Sequence, residues 1–184
     1  MPSRIRRRNH PGEGTRLRKE IVDATERLLA TSRTASTITL RGVAAESGIT
    51  APAIYAHFDG MSDLLSVVVE SRFTRFGEVL DAAASAATAP RDRLRERCLA
   101  YCRFGLEHPG HYLLMFGSGD AHLGVQYDRS AGAGEFQALV RAVRDTLDAG
   151  TPTPPTRGGD ERASDLAAVL WPALHGLVLA RGEL

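Results

Sequence analysis

The stretch Thr39–Phe58 reads TLRGVAAESGITAPAIYAHF, and its reading decides the fold. Thr39 is placed to cap a short helix, LRGVAAES, whose Leu40, Val43 and Ala44 share one face. Gly48 stops that helix, because glycine tolerates the left-handed backbone of a tight turn. Thr50 is placed to cap a second short helix, APAIYAHF, with Pro52 in its first turn, where a missing N–H costs nothing. Ile54 and Phe58 would point into the core. Two short helices across a tight turn have helix-turn-helix spacing. The outer face of the second, Thr50, Ala51, Pro52 and Ala53, is small enough for its backbone to approach base edges. Tyr55 and His57 flank it as hydrogen-bond donors. Ordinary helical hairpins share this spacing.

Working outward, Leu17, Ile21, Ala24 and Leu28 recur at helical spacing and predict a helix over 15–31. The segment 1–14, MPSRIRRRNHPGEG, has no apolar period and reads as a basic arm. Beyond the Asp59-Gly60 break, Leu64, Leu65, Val68, Val69, Phe73, Phe76 and Leu80 predict a long helix from Met61 to about residue 87. A fifth helix is expected over 91–107, ended by His108-Pro109-Gly110. A short helix HYLLMF follows, then a glycine-rich loop over 117–133. One more helix is expected over 134–148. After the linker GTPTPPTRGGD, a last helix runs from about Glu161 to the C-terminus, with Pro172 inside it. No segment alternates as a strand, so the fold class is all-α. The expected division is a flexible basic arm (1–14), a three-helix helix-turn-helix DNA-binding domain (15–60) and a helical-bundle regulatory and dimerisation domain (61–184).

Charge is unevenly shared. Through Phe58 the balance is +5, and from Asp59 onward it is −4, although the whole chain carries only +1. A basic front suits a polyanion, and the arm arginines Arg4, Arg6, Arg7 and Arg8 could follow a minor groove. No apolar run approaches the ~18 residues that span a bilayer, no secretory signal is visible, and two cysteines make no disulfide framework. These features lead us to expect a cytoplasmic protein with no membrane partner.

The chain resembles the TetR family of one-component bacterial regulators over about Arg16–Leu65. The resemblance rests on Ile21, Ala24, Leu28 and Leu29, on TLRxVA at Thr39–Ala44, and on SGIT at Ser47–Thr50. IYxHF at Ile54–Phe58 and DLL at Asp63–Leu65 complete it. It implies that Thr39 and Arg41 reach phosphate or base, that Thr50, Ala51, Pro52 and Ala53 face the major groove, and that Tyr55 and His57 hold the backbone. The partner is then double-stranded DNA, a near-palindromic operator bound by a homodimer, with repression as the expected outcome. The chain departs from the family in having Met61 where a lysine is usual, and Ser32-Arg33 where a glycine is usual.

Trp171-Pro172-Ala173-Leu174-His175-Gly176 resembles the Trp-His-Gly (WHG) subclass of TetR C-terminal domains, as does His108-Pro109 before a short aromatic helix. The candidate effector-lining residues are Phe73, Phe76, Cys98, Tyr101, Cys102, Phe104, Tyr112, Met115, Phe116, Trp171 and His175. Each is equally a candidate for core packing. As a set they suit a small apolar or aromatic effector, with Tyr101, Tyr112 and His175 as polar handles. The last helix and the helix over 134–148 are expected at the dimer interface.

Cys98 and Cys102 share a helix face and precede His108 and His111, a spacing that invites a zinc reading. The five residues between the pairs are too few for them to converge, so no metal and no cofactor is expected. GxSxG, HExxH, P-loop and GxGxxG motifs are all missing from the sequence, which argues against an enzyme. A helical adaptor without DNA binding is the remaining rival.

Overall fold

The computed structural model describes residues 13–32, 34–117, 130–150 and 159–182. The basic arm, most of the glycine-rich loop and most of the proline-rich linker expected from sequence lie outside these residues. The described chain forms eight α-helices: α1 (Glu13–Thr31), α2 (Leu40–Glu46), α3 (Ala51–Ile54), α4 (Met61–Ser85), α5 (Pro90–Glu107), α6 (Pro109–Phe116), α7 (Ser130–Ala149) and α8 (Gly159–Gly182). A single 3-10 turn, Ala35–Thr37, follows α1.

The first three helices close around Ile21, Leu29, Ala35, Ile38, Val43, Ile54 and Phe58, all of them buried. Thr39 caps α2, its hydroxyl oxygen accepting the Gly42 N–H at 3.1 Å. Gly48 has φ 67°, the left-handed geometry that ends α2. Arg18 lies over the Phe58 ring at 4.8 Å, and Arg27 pairs with Glu46 at 2.6 Å, so α1 is held at both ends of the two-helix unit.

Two local expectations are corrected. Thr50 precedes α3, but its side chain makes no capping bond. The α-helical part of α3 is only Ala51–Ile54, not the full eight residues. The Ile54 carbonyl accepts from both His57 N (2.8 Å) and Phe58 N (3.0 Å), so the last turn tightens and the helix closes early. Helix α4 stops at Ser85, short of residue 87, while other boundaries move outward. Helix α7 begins at Ser130 rather than near 134, and α8 begins at Gly159 and continues through Pro172.

Helix α4 carries Leu64, Leu65, Val68 and Val69 into the N-terminal core, then Phe73, Phe76 and Leu80 into the second bundle. At about 1.5 Å per residue it reaches roughly 37 Å. Helices α4 and α5 run antiparallel, as the ring contacts of Phe76 with Tyr101 and Phe104 and the ion pair of Asp81 with Arg97 show. Arg97 is buried, and it also bonds Glu135 of α7 at 2.9 Å. One guanidinium thereby ties three helices through two carboxylates. Burial pushes the Glu135 carboxyl upward, and Arg97 opposes that shift. Helices α7 and α8 pack through Leu139, Val140, Val143, Ala163 and Ala167.

Helix α6 docks on the end of α1. A Cβ on Gly110 would overlap the main-chain carbonyl oxygens of Leu29 and Ser32. Backbone cannot yield as a side-chain tip can, so Gly110→Ala should cost about 2 kcal/mol, lowering Tm by about 4–8 °C. Gly134→Ala, where nothing lies within 4 Å, should leave Tm unchanged or raise it. Equal melting of the two variants by circular dichroism would refute the α6–α1 contact.

Candidate functional site

The sequence-selected residues of the N-terminal unit are all at least partly open to solvent. Thr39, Arg41, Thr50, Pro52 and Tyr55 are exposed, and Ala51, Ala53 and His57 are half-buried. Tyr55 is 59% exposed, an unusual place for so large a ring unless it meets a partner. The Thr39 hydroxyl accepts from Gly42 N–H, which leaves its O–H proton available to an external acceptor. Thr50, spared from capping, has its hydroxyl at the exposed start of α3. His57 packs toward α1, its Cε1 3.8 Å from where a Cβ on Gly14 would sit. The arm arginines lie outside the described residues.

In the second bundle most of the selected residues meet in one aromatic cluster. Phe116 has ring centroids 5.2 Å from Phe73, 5.8 Å from Phe76, 4.9 Å from Tyr112 and 4.7 Å from His175. Trp171 stands 5.5 Å from Tyr101 and 5.3 Å from His175. Met115 is buried in the same core, and Cys102 packs at its edge. The polar handles bond one another. The Tyr101 hydroxyl lies 3.1 Å from that of Tyr112 and 2.7 Å from His175 Nδ1, which is itself 3.1 Å from the Trp171 carbonyl oxygen. A proton on Nδ1 can donate to either oxygen, freeing the Tyr101 O–H to donate to Tyr112. Burial raises both phenols, Tyr112 to about 12, and lowers His175. All three are therefore neutral near pH 7.

Among the described residues, the rings of this core pack tightly against one another. The cavity beside it holds about 10 Å³, room for one water, and is lined by Cys98, Tyr101, Trp171 and also by Leu80, Arg97, Glu135, Leu139 and Leu174. Sequence reasoning missed the Arg97–Glu135 pair. The available signal was Arg97 itself, in a helical row with Tyr101 and Phe104, where a buried charge requires a partner. Among the described residues no group of three His, Cys, Asp or Glu could hold a metal. Burial pushes Cys98 up to about 11, so the thiol is neutral near pH 7.

Between the two units lies a polar junction. Glu26 of α1 accepts from Arg72 Nε at 3.0 Å and from the Ser71 hydroxyl at 3.1 Å, and pairs with the far Arg72 nitrogen as well. His111 of α6 is buried beside it. Its ring nitrogens have no hydrogen-bond partner of good geometry among the described residues.

Two family profiles match the chain: "Bacterial regulatory proteins, tetR family" over residues 21–68, and "Tetracyclin repressor-like, C-terminal domain" over residues 94–181. No curated protein matches it significantly. Among solved structures, a Rhodococcus sp. RHA1 protein of unknown function aligns with TM-score 0.73 and 28% identity, over 95% of this chain and 88% of its own. A TetR-family transcriptional regulator from Pectobacterium atrosepticum aligns with TM-score 0.71 and 20% identity, over 95% and 92%. A fatty acid degradation regulator from Bacillus halodurans aligns with TM-score 0.57 and 16% identity, over 94% and 97%.

The junction has a pH signature. Burial, then the positive charge of Arg72 and the proximity of His108, lower His111 from 6.5 to about 4, and the Glu26 main chain weakly opposes this. Between those values the unfolded chain binds more protons than the folded one. Stability is therefore complete above about pH 6.5 and falls as pH drops toward 4. Tm measured at about pH 7.5 and pH 5 should fall less in His111→Leu than in the wild type, with His175 supplying the remaining slope. An unchanged slope would show that His111 is not held neutral.

Proposed function

Because the chain belongs to the TetR family of DNA-binding transcription regulators, we propose that it is a ligand-responsive repressor that grips a near-palindromic operator as a homodimer. The observation that carries this reading is the exposed surface of Thr39, Arg41, Thr50, Pro52 and Tyr55 around a short, small-faced α3. Ala51 and Ala53 let that helix approach base edges, which set specificity. Thr39, Tyr55 and His57 hold phosphates, which set register and much of the affinity.

Two copies pair through α8, so that their α3 helices enter successive major grooves about one helical turn apart. Helix α8 is long and apolar enough to cross a membrane by composition alone, yet only 22% of its apolar window is buried within the chain. Leu166, Val169 and Leu177 are exposed along it. Cover by a second copy suits the family, and a DNA-binding protein works where the chromosome is, in the cytoplasm. The effector is small and apolar or aromatic, and it enters the core around Phe73, Phe76, Tyr101, Cys98, Cys102, Tyr112, Met115, Phe116, Trp171 and His175. With a cavity of about 10 Å³, entry must part α6 or α8 from α5. That links occupancy to the α6–α1 contact and to the setting of the DNA-binding units. Binding the parted state better than the DNA-competent one is enough to release the operator.

Fluorescence anisotropy with the upstream duplex of the protein's own gene and a scrambled duplex tests the DNA reading. Tyr55→Phe should weaken both by about fivefold, as loss of one phosphate hydrogen bond, while Ala53→Ser should change the ratio between them. A folded wild-type protein that binds neither duplex at low salt would leave a ligand-binding adaptor as the better account. Val169→Glu should convert the dimer to monomer in light scattering and remove most operator affinity. Persistence of the dimer would place the interface elsewhere.

A further inference from the structure

A second cavity lies on the outer side of the α4–α5 pair, away from the aromatic core. It holds about 280 Å³ and is lined by Arg72, Arg75, Val79 and Ala83 of α4, by Ala100, Arg103, Phe104 and Glu107 of α5, and by His108. The antiparallel register set by Phe76–Tyr101 and Asp81–Arg97 puts Arg75 opposite Arg103 and Arg72 near Glu107. Guanidinium groups thus gather at the end nearest α1 and α6, and Val79, Ala83 and Ala100 line the other end. The groove is amphipathic along its length.

Its lining carries three arginines and one carboxylate, Glu107. Arg72 is engaged by Glu26, and Arg75 pairs with Glu78 at 3.0 Å on an open surface where such a pair contributes little. Arg103 is exposed and has no ion pair among the described residues. Exposed arginines are ordinary, but Arg75 of α4 and Arg103 of α5 line one concavity with an apolar floor, which gathers positive charge where an anion can enter.

We propose that this groove binds a small amphipathic carboxylate. Its carboxylate is held by Arg75 and Arg103, and its apolar tail lies along Val79, Ala83, Ala100 and Phe104. Paired guanidinium groups suit the two oxygens of a carboxylate, and the volume sits near the small end of ligand pockets. The site shares only Phe104 with the aromatic core, where that ring stands 4.8 Å from Phe76, and it does not rest on the effector reading of that core. Its head end lies beside Arg72, the residue that ties α4 to Glu26 of α1.

Isothermal calorimetry of the full chain with octanoate, and with octanamide as its uncharged counterpart, tests the assignment. Octanoate should bind saturably at one per chain, and octanamide about tenfold more weakly or worse. Arg75→Gln and Arg103→Gln should each weaken octanoate by about tenfold, while Arg95→Gln, exposed elsewhere on α5, should not. Both groove arginines are exposed, so their variants should melt like the wild type. Equal binding of octanoate and octanamide would overturn the proposal. So would wild-type affinity in both groove variants, which would place the acid elsewhere, and so would the absence of saturable octanoate binding at millimolar concentration.

Discussion

One helix has to satisfy two cores, and the rest of the structure depends on it. The apolar stripe of α4 runs without a break from Leu64 to Leu80. Its first half completes the three-helix unit and its second half founds the aromatic bundle. Each fully buried Leu, Val or Phe contributes roughly 1.5–3 kcal/mol, so the seven large side chains of the stripe outweigh any polar contact nearby. The Glu26–Arg72 pair, about one-fifth exposed on each side, adds little net stability by comparison. Its role is directional: it selects how α1 lies against a helix that packing has already fixed.

Movement in one unit therefore reaches the other by two routes. The first is α4 itself. The second is α6, whose Gly110 rests against the carbonyls at the end of α1 while Tyr112 and Phe116 of the same helix reach into the aromatic cluster. Two turns of helix thus touch both the DNA-binding unit and the core that an effector would open. Among the described residues, neutral, hydrogen-bonded Tyr101, Tyr112 and His175 pack that core, and the cavity beside it holds about 10 Å³. A ligand entering there would displace packed rings, and close-packed interiors respond to such displacement by shifting helices.

The fold was legible in the sequence where one signal dominated. The periodicity of Leu64–Leu80 and the Thr39–Phe58 punctuation located α2, α3 and α4, because capping by Thr39 and the left-handed Gly48 are local effects. Legibility failed where a tertiary contact decided. The short α3 follows from the Ile54 carbonyl taking two donors, and the unused Thr50 cap goes with it. Glu135 of α7 meets Arg97, a partner 38 residues away in the chain that no local pattern announces. The selected aromatic residues do converge, since large apolar side chains on facing helices have few other places to go. The basic groove was invisible for the opposite reason: Arg72, Arg75 and Arg103 each read as a solvated surface residue until the α4–α5 register placed them together.

The same distinction explains α8. Ala163, Ala167, Leu174 and Val178 form its inward face, while Leu166, Val169, Ala173 and Leu177 form a second apolar face that is exposed among the described residues. A helix apolar on both faces scores as a membrane span by hydropathy, yet the two situations differ physically. Helix α8 packs against α7 and α5, which share the Arg97–Glu135 pair, so one of its faces is already committed to this chain's own core. It also opens with Asp160 and Glu161 in its first turn and closes with Arg181 in its last, charges that complement the helix dipole. Two apolar faces on such a helix suit the proposed subunit interface: one side belongs to its own core, and the other would complete a core with a second copy.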